Sequence, residues 1–428
     1  MSLTRRDLLK TSAAAGLSLF TFPRLGHADP PSYEGPYLAV FNADGGWDTT
    51  YLMDPKGTPD LNRLYTADQI LTTGQHRYAP TQAHIAEGMM SNETFFERYG
   101  AELVVVNGID TSVNNHAPCS RYVATGELDS RRYPTLPALM AAAKAPEAPL
   151  AFLTFGQYSA TGDLIAQSRV PYLRSLTSLA SSDFTDSTRV RRYHHLDTES
   201  QIEQTLAAAR AVQHPLPKVE RSRSFVQRAQ QSSKTLDAIV PFITPSAPSD
   251  LYLQQVEIAL AAFASGLGVS ANLTLGGFDS HNTNDPDQLD KIPRLLMGVD
   301  YMLTRATEMG IRDQLVIVIQ SEMGRTPWYN STGGKDHWSV TSMMALGPGI
   351  TGDRVIGGTQ IDAESGHEQS PRLIEPSTLS VSDEGIRVRP EHIQRALREA
   401  LGFADHPLAA RFPLKVPEAE RLVGLFHS

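Results

Sequence analysis

Gln314-Leu315-Val316-Ile317-Val318-Ile319-Gln320 holds five consecutive apolar residues, four of them β-branched. β-Branched side chains are stiff at χ1 and pack well on a pleated surface, so the run predicts a strand. It lacks the alternation of a strand that is wet on one face. It therefore reads as buried on both sides, as in a parallel sheet sandwiched between helices. Similar short runs occupy residues 37–41, 103–107, 151–155, 270–275 and 342–346. Helical periodicity lies between them, over 93–99, 135–144, 199–212, 222–239, 251–266 and 291–309. In the last of these, Leu295, Leu296, Val299, Met302 and Leu303 recur near the 3.6-residue period. Two closing helices are expected over 390–402 and 417–426. Strands alternating with helices predict an α/β fold built on a doubly wound, mostly parallel sheet. Residues 165–250 break the alternation and read as an inserted helical region or cap. Its arginines Arg169, Arg174, Arg189, Arg191 and Arg192 suit a solvated basic face.

The 428 residues include one cysteine, 31 glycines and 28 prolines, with no repeat among them. That excludes collagen-like, low-complexity and disulfide-stapled chains. Lys and Arg number 38 against 47 Asp and Glu, a net charge of −9. A nucleic-acid binder needs a basic footprint, so that class is excluded, whereas a local basic pocket for an anionic substrate is not.

The chain begins with Thr4-Arg5-Arg6-Asp7-Leu8-Leu9-Lys10, an apolar stretch from Ala13 to Phe22, and Gly26-His27-Ala28. Basic, apolar and small-residue segments in that order predict a signal peptide over 1–28. The apolar stretch, about 10 residues, is too short to span a bilayer. The arginine pair resembles the twin-arginine export signal, whose passengers cross the membrane folded. The expectation is a single domain over 29–428, periplasmic or secreted, with the twin-arginine export machinery as a partner and no stable membrane insertion after cleavage. Cys119, unable to form an intramolecular disulfide, accords with folding before export.

Ligands of an open α/β sheet bind at the carboxyl ends of its strands. Asp44-Gly45-Gly46-Trp47-Asp48 follows the first strand. The second is followed by a segment carrying His116, Cys119, Ser120 and Arg121. Asp279 and His281 follow the 270–275 strand, Glu322 and Arg325 follow 314–320, and Lys335-Asp336-His337 precedes 342–346. Each group alone has a plainer role: Asp44 in a turn, Glu322 with Arg325 as an ion pair, His337 as a core histidine. Their recurrence at one sheet edge points instead to a shared polar site. Buried charges are costly unless paired or metal-bound, and carboxylates with imidazoles suit a divalent ion such as Zn, Mn or Ca. The metal-ligand candidates are Asp44, Asp48, Asp279, His281, Glu322, Asp336 and His337.

Asp44-Gly45-Gly46 with Asp54-Pro55-Lys56 downstream, Gly276-Gly277-Phe278-Asp279-Ser280-His281, Ser321-Glu322-Met323-Gly324-Arg325-Thr326-Pro327 and Gly334-Lys335-Asp336-His337-Trp338 together resemble a bacterial family of twin-arginine-exported proteins of unknown function. That family is similar in outline to the alkaline phosphatase and sulfatase superfamily. The resemblance implies an alkaline-phosphatase/sulfatase-like α/β fold and metal-dependent hydrolysis of phosphate or sulfate esters. It implies Asp44 as a metal ligand, with Asp48 as its alternative, and Asp279, His281 and His337 as further ligands. Cys119-Ser120-Arg121 with Thr125-Gly126 resembles the sulfatase nucleophile segment, departing from it in Pro118 and in the spacing of Thr-Gly. Ser120 is the first nucleophile candidate and Cys119 the second, at a helix N-terminus over 119–122. Arg121 or Arg325 would clamp substrate oxygens, and Asp336 or His116 would move protons. Met323 stands where the superfamily has a histidine, which implies a reduced or single-metal site. The rival expectation is a catalytically degenerate exported protein of the same fold that binds a metal, glycan or protein partner. Gly347–Gly352 satisfies a dinucleotide spacing, but no helix pattern follows it, and no Gly-x-Ser-x-Gly elbow exists.

Overall fold

The computed structural model describes residues 33–156, 158–180 and 235–427, with scattered positions between 200 and 223. The export segment and Arg189, Arg191 and Arg192 lie outside the described residues, as does about half of the helical region expected over 165–250. Seven strands form the central sheet: β1 (Tyr37–Asp44), β2 (Val104–Asp110), β3 (Phe152–Thr154), β4 (Ser270–Gly276), β5 (Leu315–Ser321), β6 (Val340–Leu346) and β7 (Arg354–Gly357). Their order is β7-β2-β6-β5-β1-β4-β3. All pair in parallel except β6, which runs antiparallel between β2 and β5. Strand β7 was not expected from the sequence. It is a four-residue edge strand, partly exposed, with too little apolar signal to stand out.

Both faces of the sheet are covered, as the unbroken apolar runs require. The helices are α1 (Asn92–Tyr99), α2 (His116–Thr125), α3 (Leu136–Lys144), α4 (Leu173–Ala180), α5 (Leu251–Ala264), α6 (Asn284–Glu308) and α7 (Pro390–Ala400). On β1, Ala39 and Phe41 join a core with Ile317, Ile319 and side chains of α1, α5 and α6. The alternate residues Leu38 and Val40 join Val316, Val318 and side chains of α3 and α7 in a second core. Strand alternation thus feeds two cores at once. The described residues from Tyr33 onward pack as one compact unit.

Some boundaries differ from the sequence reading. Helix α6 begins seven residues before the expected 291. Its first turn carries Asp285 and Asp287, which favour a helix N-terminus electrostatically. Pro286 sits in that turn, where its missing N–H costs nothing. The segment expected as a helix over 417–426 forms only a short 3-10 turn, Glu418–Glu420, and Gly424 adopts φ 69°. Leu422, Leu425 and Phe426 are buried all the same, so their apolar spacing reflects packing and not helicity. The end of the helix expected over 222–239 is a 3-10 helix, Leu236–Phe242, containing Pro241. Among the described residues, no helix is long and apolar enough to cross a membrane.

Phe41 is fully buried at the centre of β1. Phe41→Ala is expected to lower stability by about 3–5 kcal/mol in urea denaturation, because the cavity cannot collapse around strands held on both sides. The exposed Val381→Ala should change it by no more than about 0.5 kcal/mol.

Candidate metal centre

The parallel strands end level: Asp44 lies opposite Gly276, and Ala43 opposite Ser321. The residues that follow them therefore gather at one edge. The turn after β4 carries Asp279 and His281, and the chain after β2 leads into α2, whose first residue is His116. Strand β6 runs the other way, so its contribution comes from the loop that precedes it. A two-residue ladder pairs Arg325 with His337 and fixes that loop against the end of β5. Two glycines permit the approach. Gly45 has φ 123°, and a Cβ there would lie 2.5 Å from the Asp279 amide nitrogen. A Cβ on Gly334 would lie 1.9 Å from the His281 carbonyl oxygen.

Three imidazoles converge on one carboxylate. His281 Nε2 lies 3.1 Å and His337 Nε2 3.3 Å from Asp279 Oδ1, and His116 Nε2 lies 3.5 Å from Asp279 Oδ2. His281 Nε2 and His337 Nε2 are 3.0 Å apart. Candidate ligand atoms of His116, Asp279 and His337 all lie within 4.8 Å of one another. Asp279 remains 47% exposed in its side chain, so the cluster opens to solvent.

The other nitrogen of each ring decides the chemistry. His337 Nδ1 is 2.9 Å from the Asn114 carbonyl oxygen, His281 Nδ1 is 2.8 Å from Asp336 Oδ1, and His116 Nδ1 is 3.0 Å from Glu322 Oε1. A carbonyl or an ionised carboxylate only accepts, so each Nδ1 carries the proton. In the neutral form of each ring, Nε2 then presents a lone pair inward. Lone pairs facing one another at 3.0 Å repel unless a cation or a proton lies between them. An imidazole held through Nδ1–H by a carboxylate or carbonyl is the usual arrangement behind a metal-binding Nε2.

The remaining predicted residues sit around this cluster. Glu322 is buried behind His116 and also accepts from the Gly45 amide at 2.8 Å. Asp336 stands behind His281. Both are outer supports and not members of the inner cluster. Asp44 lies near enough to feel Glu322 and Asp279: burial first, then those two negative charges, push its carboxyl above the usual range. Burial works against ionisation of Asp279 too, but hydrogen bonding and charge from Arg325 hold it below the usual carboxylate range.

Several expectations are corrected. Asp48 does not face the cluster. It is fully buried and pairs with Lys335 Nζ at 2.6 Å, while accepting from Thr50 and Asn284. Arg325 is not a substrate clamp. Its guanidinium is buried and donates to Asp279 Oδ1 at 2.6 Å and to the carbonyls of Gly45, Gly46 and Lys335. The helix expected to open at 119–122 opens at His116, so Ser120 lies in its second turn, donating to the His116 carbonyl at 2.7 Å. Cys119 is buried, donates to the Val113 carbonyl, and has its thiol pushed up by burial, the reverse of an activated nucleophile. Arg121 donates to the Leu128 carbonyl at 2.7 Å. Met323 is buried and presents no ligand at the rim. Two contributors carried no role in the sequence reading. Lys335 stands in the Gly334–Trp338 motif without a chemical signature of its own, and the Asn114 carbonyl has no sequence signal, since any residue supplies one.

The model of a family described as a protein of unknown function (DUF1501) matches residues 163–375. That stretch carries Asp279, His281, Glu322, Arg325, Asp336 and His337; Asp44 and His116 precede it. No curated protein matches the chain. Solved structures with a similar backbone outline include the lipoteichoic acid synthase LtaP from Listeria monocytogenes, at 10% identity over 81% of this chain and 73% of that one, with a TM-score of 0.35. They include the PsFucS1 sulfatase from Pseudoalteromonas sp., at 10% identity over 92% and 73%, TM-score 0.35. They include the phosphonate monoester hydrolase SpPMH from Silicibacter pomeroyi, at 11% identity over 86% and 73%, TM-score 0.34.

The hydrogen bond that His116 donates to Glu322 raises the His116 pKa, whereas burial and the charges of Arg325 and His116 lower that of His337. As pH falls, His116 therefore takes up its second proton before His337 does, on the nitrogen that faces Asp279. Zinc binding followed by titration between about pH 5 and 8 should weaken as pH drops through the raised His116 value. Glu322→Gln should move that loss to lower pH.

Proposed function

We propose that this chain is an exported, metal-dependent hydrolase of phosphate or sulfate esters. One observation carries the reading: three imidazole lone pairs, each set by an acceptor behind the ring, converge on a carboxylate at the open edge of the sheet. Three nitrogens and one oxygen suit zinc or a similar borderline ion better than calcium, which takes six to eight oxygens. His116, Asp279, His281 and His337 would hold it. Such an ion supplies Lewis-acid polarisation of an ester oxygen and lowers the pKa of water.

The protein groups have separable tasks. Glu322, Asp336 and the Asn114 carbonyl keep each ring in the binding tautomer. Arg325 holds Asp279 ionised and aimed inward. With the Ser120 hydroxyl and the Cys119 thiol both engaged within the fold, water is the nucleophile in this reading. The arginine pair and apolar stretch at the N-terminus support export to the periplasm or exterior, through the twin-arginine machinery.

The same engaged hydroxyl and thiol favour one alternative, an exported protein that holds the ion and binds a glycan or protein partner without catalysis. Aryl phosphate, phosphodiester and aryl sulfate esters assayed with and without chelator separate the two. The hydrolase reading expects turnover of at least one ester, lost with chelator and restored by metal. Asp279→Ala and His337→Ala should each abolish bound metal in elemental analysis, whereas Cys119→Ser should retain both metal and turnover. Metal retained by both ligand variants removes the site, and metal bound without turnover selects the alternative.

A further inference from the structure

Lys335 touches none of the inner cluster through its side chain, yet it lies where two ligand-bearing loops meet the turn after β1. Its Nζ is 2.6 Å from Asp48 Oδ2 and 2.5 Å from the Leu61 carbonyl oxygen, and both charged side chains are essentially inaccessible, at 0% and 1%. The ammonium lies 4.8 Å from the centroid of the Tyr329 ring, within cation–π range. Its backbone ties two loops together: Lys335 N donates to the Ser280 carbonyl at 3.0 Å, and its own carbonyl accepts from Arg325 Nη1 at 3.2 Å. Asp48 completes the tie from the β1 turn. Its Oδ2 accepts from Asn284, whose Oδ1 accepts from Ser280, and its amide donates to Gln288, which in turn donates to the Phe278 carbonyl. Ser280 lies between Asp279 and His281, and Lys335 is followed at once by Asp336 and His337.

A buried ion pair is a weak device for stability, because desolvating two charges offsets most of their attraction; its better-supported use is to enforce one geometry. The loops here have no regular secondary structure beyond the two-residue ladder at His337, so their mutual spacing rests on side-chain ties: Arg325 near the rim, Asn330 and Thr332 on the His281 carbonyl, and the Lys335–Asp48 pair one layer deeper. We propose that Lys335, through its pair with Asp48, is a positioning residue that sets the separation of His281 and His337 and hence the geometry of the bound ion. This rests on the metal-centre reading above.

The test uses cobalt(II) as probe on the full chain, with the Asp48→Asn/Lys335→Met double variant, which removes both charges at similar volume. Asp48→Glu, which keeps both charges and shifts the pair by one methylene, is the second variant, should the double one fold poorly. Neutralising the part-buried Asp54–Lys56 pair by Asp54→Asn/Lys56→Met is the control. The expected result is a folded double variant whose cobalt affinity falls about 10–100-fold and whose visible spectrum changes, with the control's spectrum unaltered. Wild-type affinity and spectrum in the Asp48 variants overturn the role of Lys335, as does an equal change in the control. Wild-type protein that holds no cobalt overturns the metal-centre reading and this inference together.

Discussion

Two imidazole lone pairs cannot face each other at 3.0 Å without positive charge between them, and the rest of the site is arranged around that constraint. His281 and His337 could escape it by flipping to the other tautomer. Both are prevented from doing so by acceptors at Nδ1, the Asp336 carboxylate and the Asn114 carbonyl. His116 is held in the same way by Glu322. The protein thus commits each ring before any ligand arrives, which lowers the reorganisation needed on binding. Asp279 supplies the negative charge in the middle, and Arg325 keeps it ionised.

The support behind the rings is built from buried charge, which is costly and therefore fully paired. Arg325 donates to three carbonyls besides Asp279, so one side chain joins the β1 turn, the loop before β6 and the turn after β4. Lys335 and Asp48 join the same three segments one layer deeper. Deleting one partner of such a pair leaves an uncompensated charge, at a cost of about 3–5 kcal/mol. The two glycines do complementary work: Gly45 and Gly334 let backbones come closer than any Cβ would permit.

Much of the fold was legible because it follows from apolar periodicity. Residues 314–320 could bury both faces only within a parallel, helix-covered sheet, and the two cores on either side of β1 show that arrangement. The less legible parts were those with weak or misleading periodicity. The edge strand Arg354–Gly357 buries little, and Leu422, Leu425 and Phe426 imitate a helix while packing as irregular chain. The antiparallel direction of β6 has no local signature at all. It is nevertheless the reason that His337 must precede its strand when Asp279 and His281 follow theirs.

The composition of the site is already written in the order of residues: acids and imidazoles stand next to strand ends, close to glycines that tolerate tight turns. Which of them face inward depends on contacts between segments far apart in the chain. Asp48 and Glu322 read alike in sequence, since each is an acid a few residues past a strand, yet one is buried against Lys335 and the other stands behind His116. Ser120 reads as a nucleophile until the helix is seen to start at His116, which turns its hydroxyl to a backbone carbonyl. The reason is that a side chain's role depends on which atom meets it from a distant segment, and partners such as the Asn114 carbonyl are backbone groups that no residue type announces.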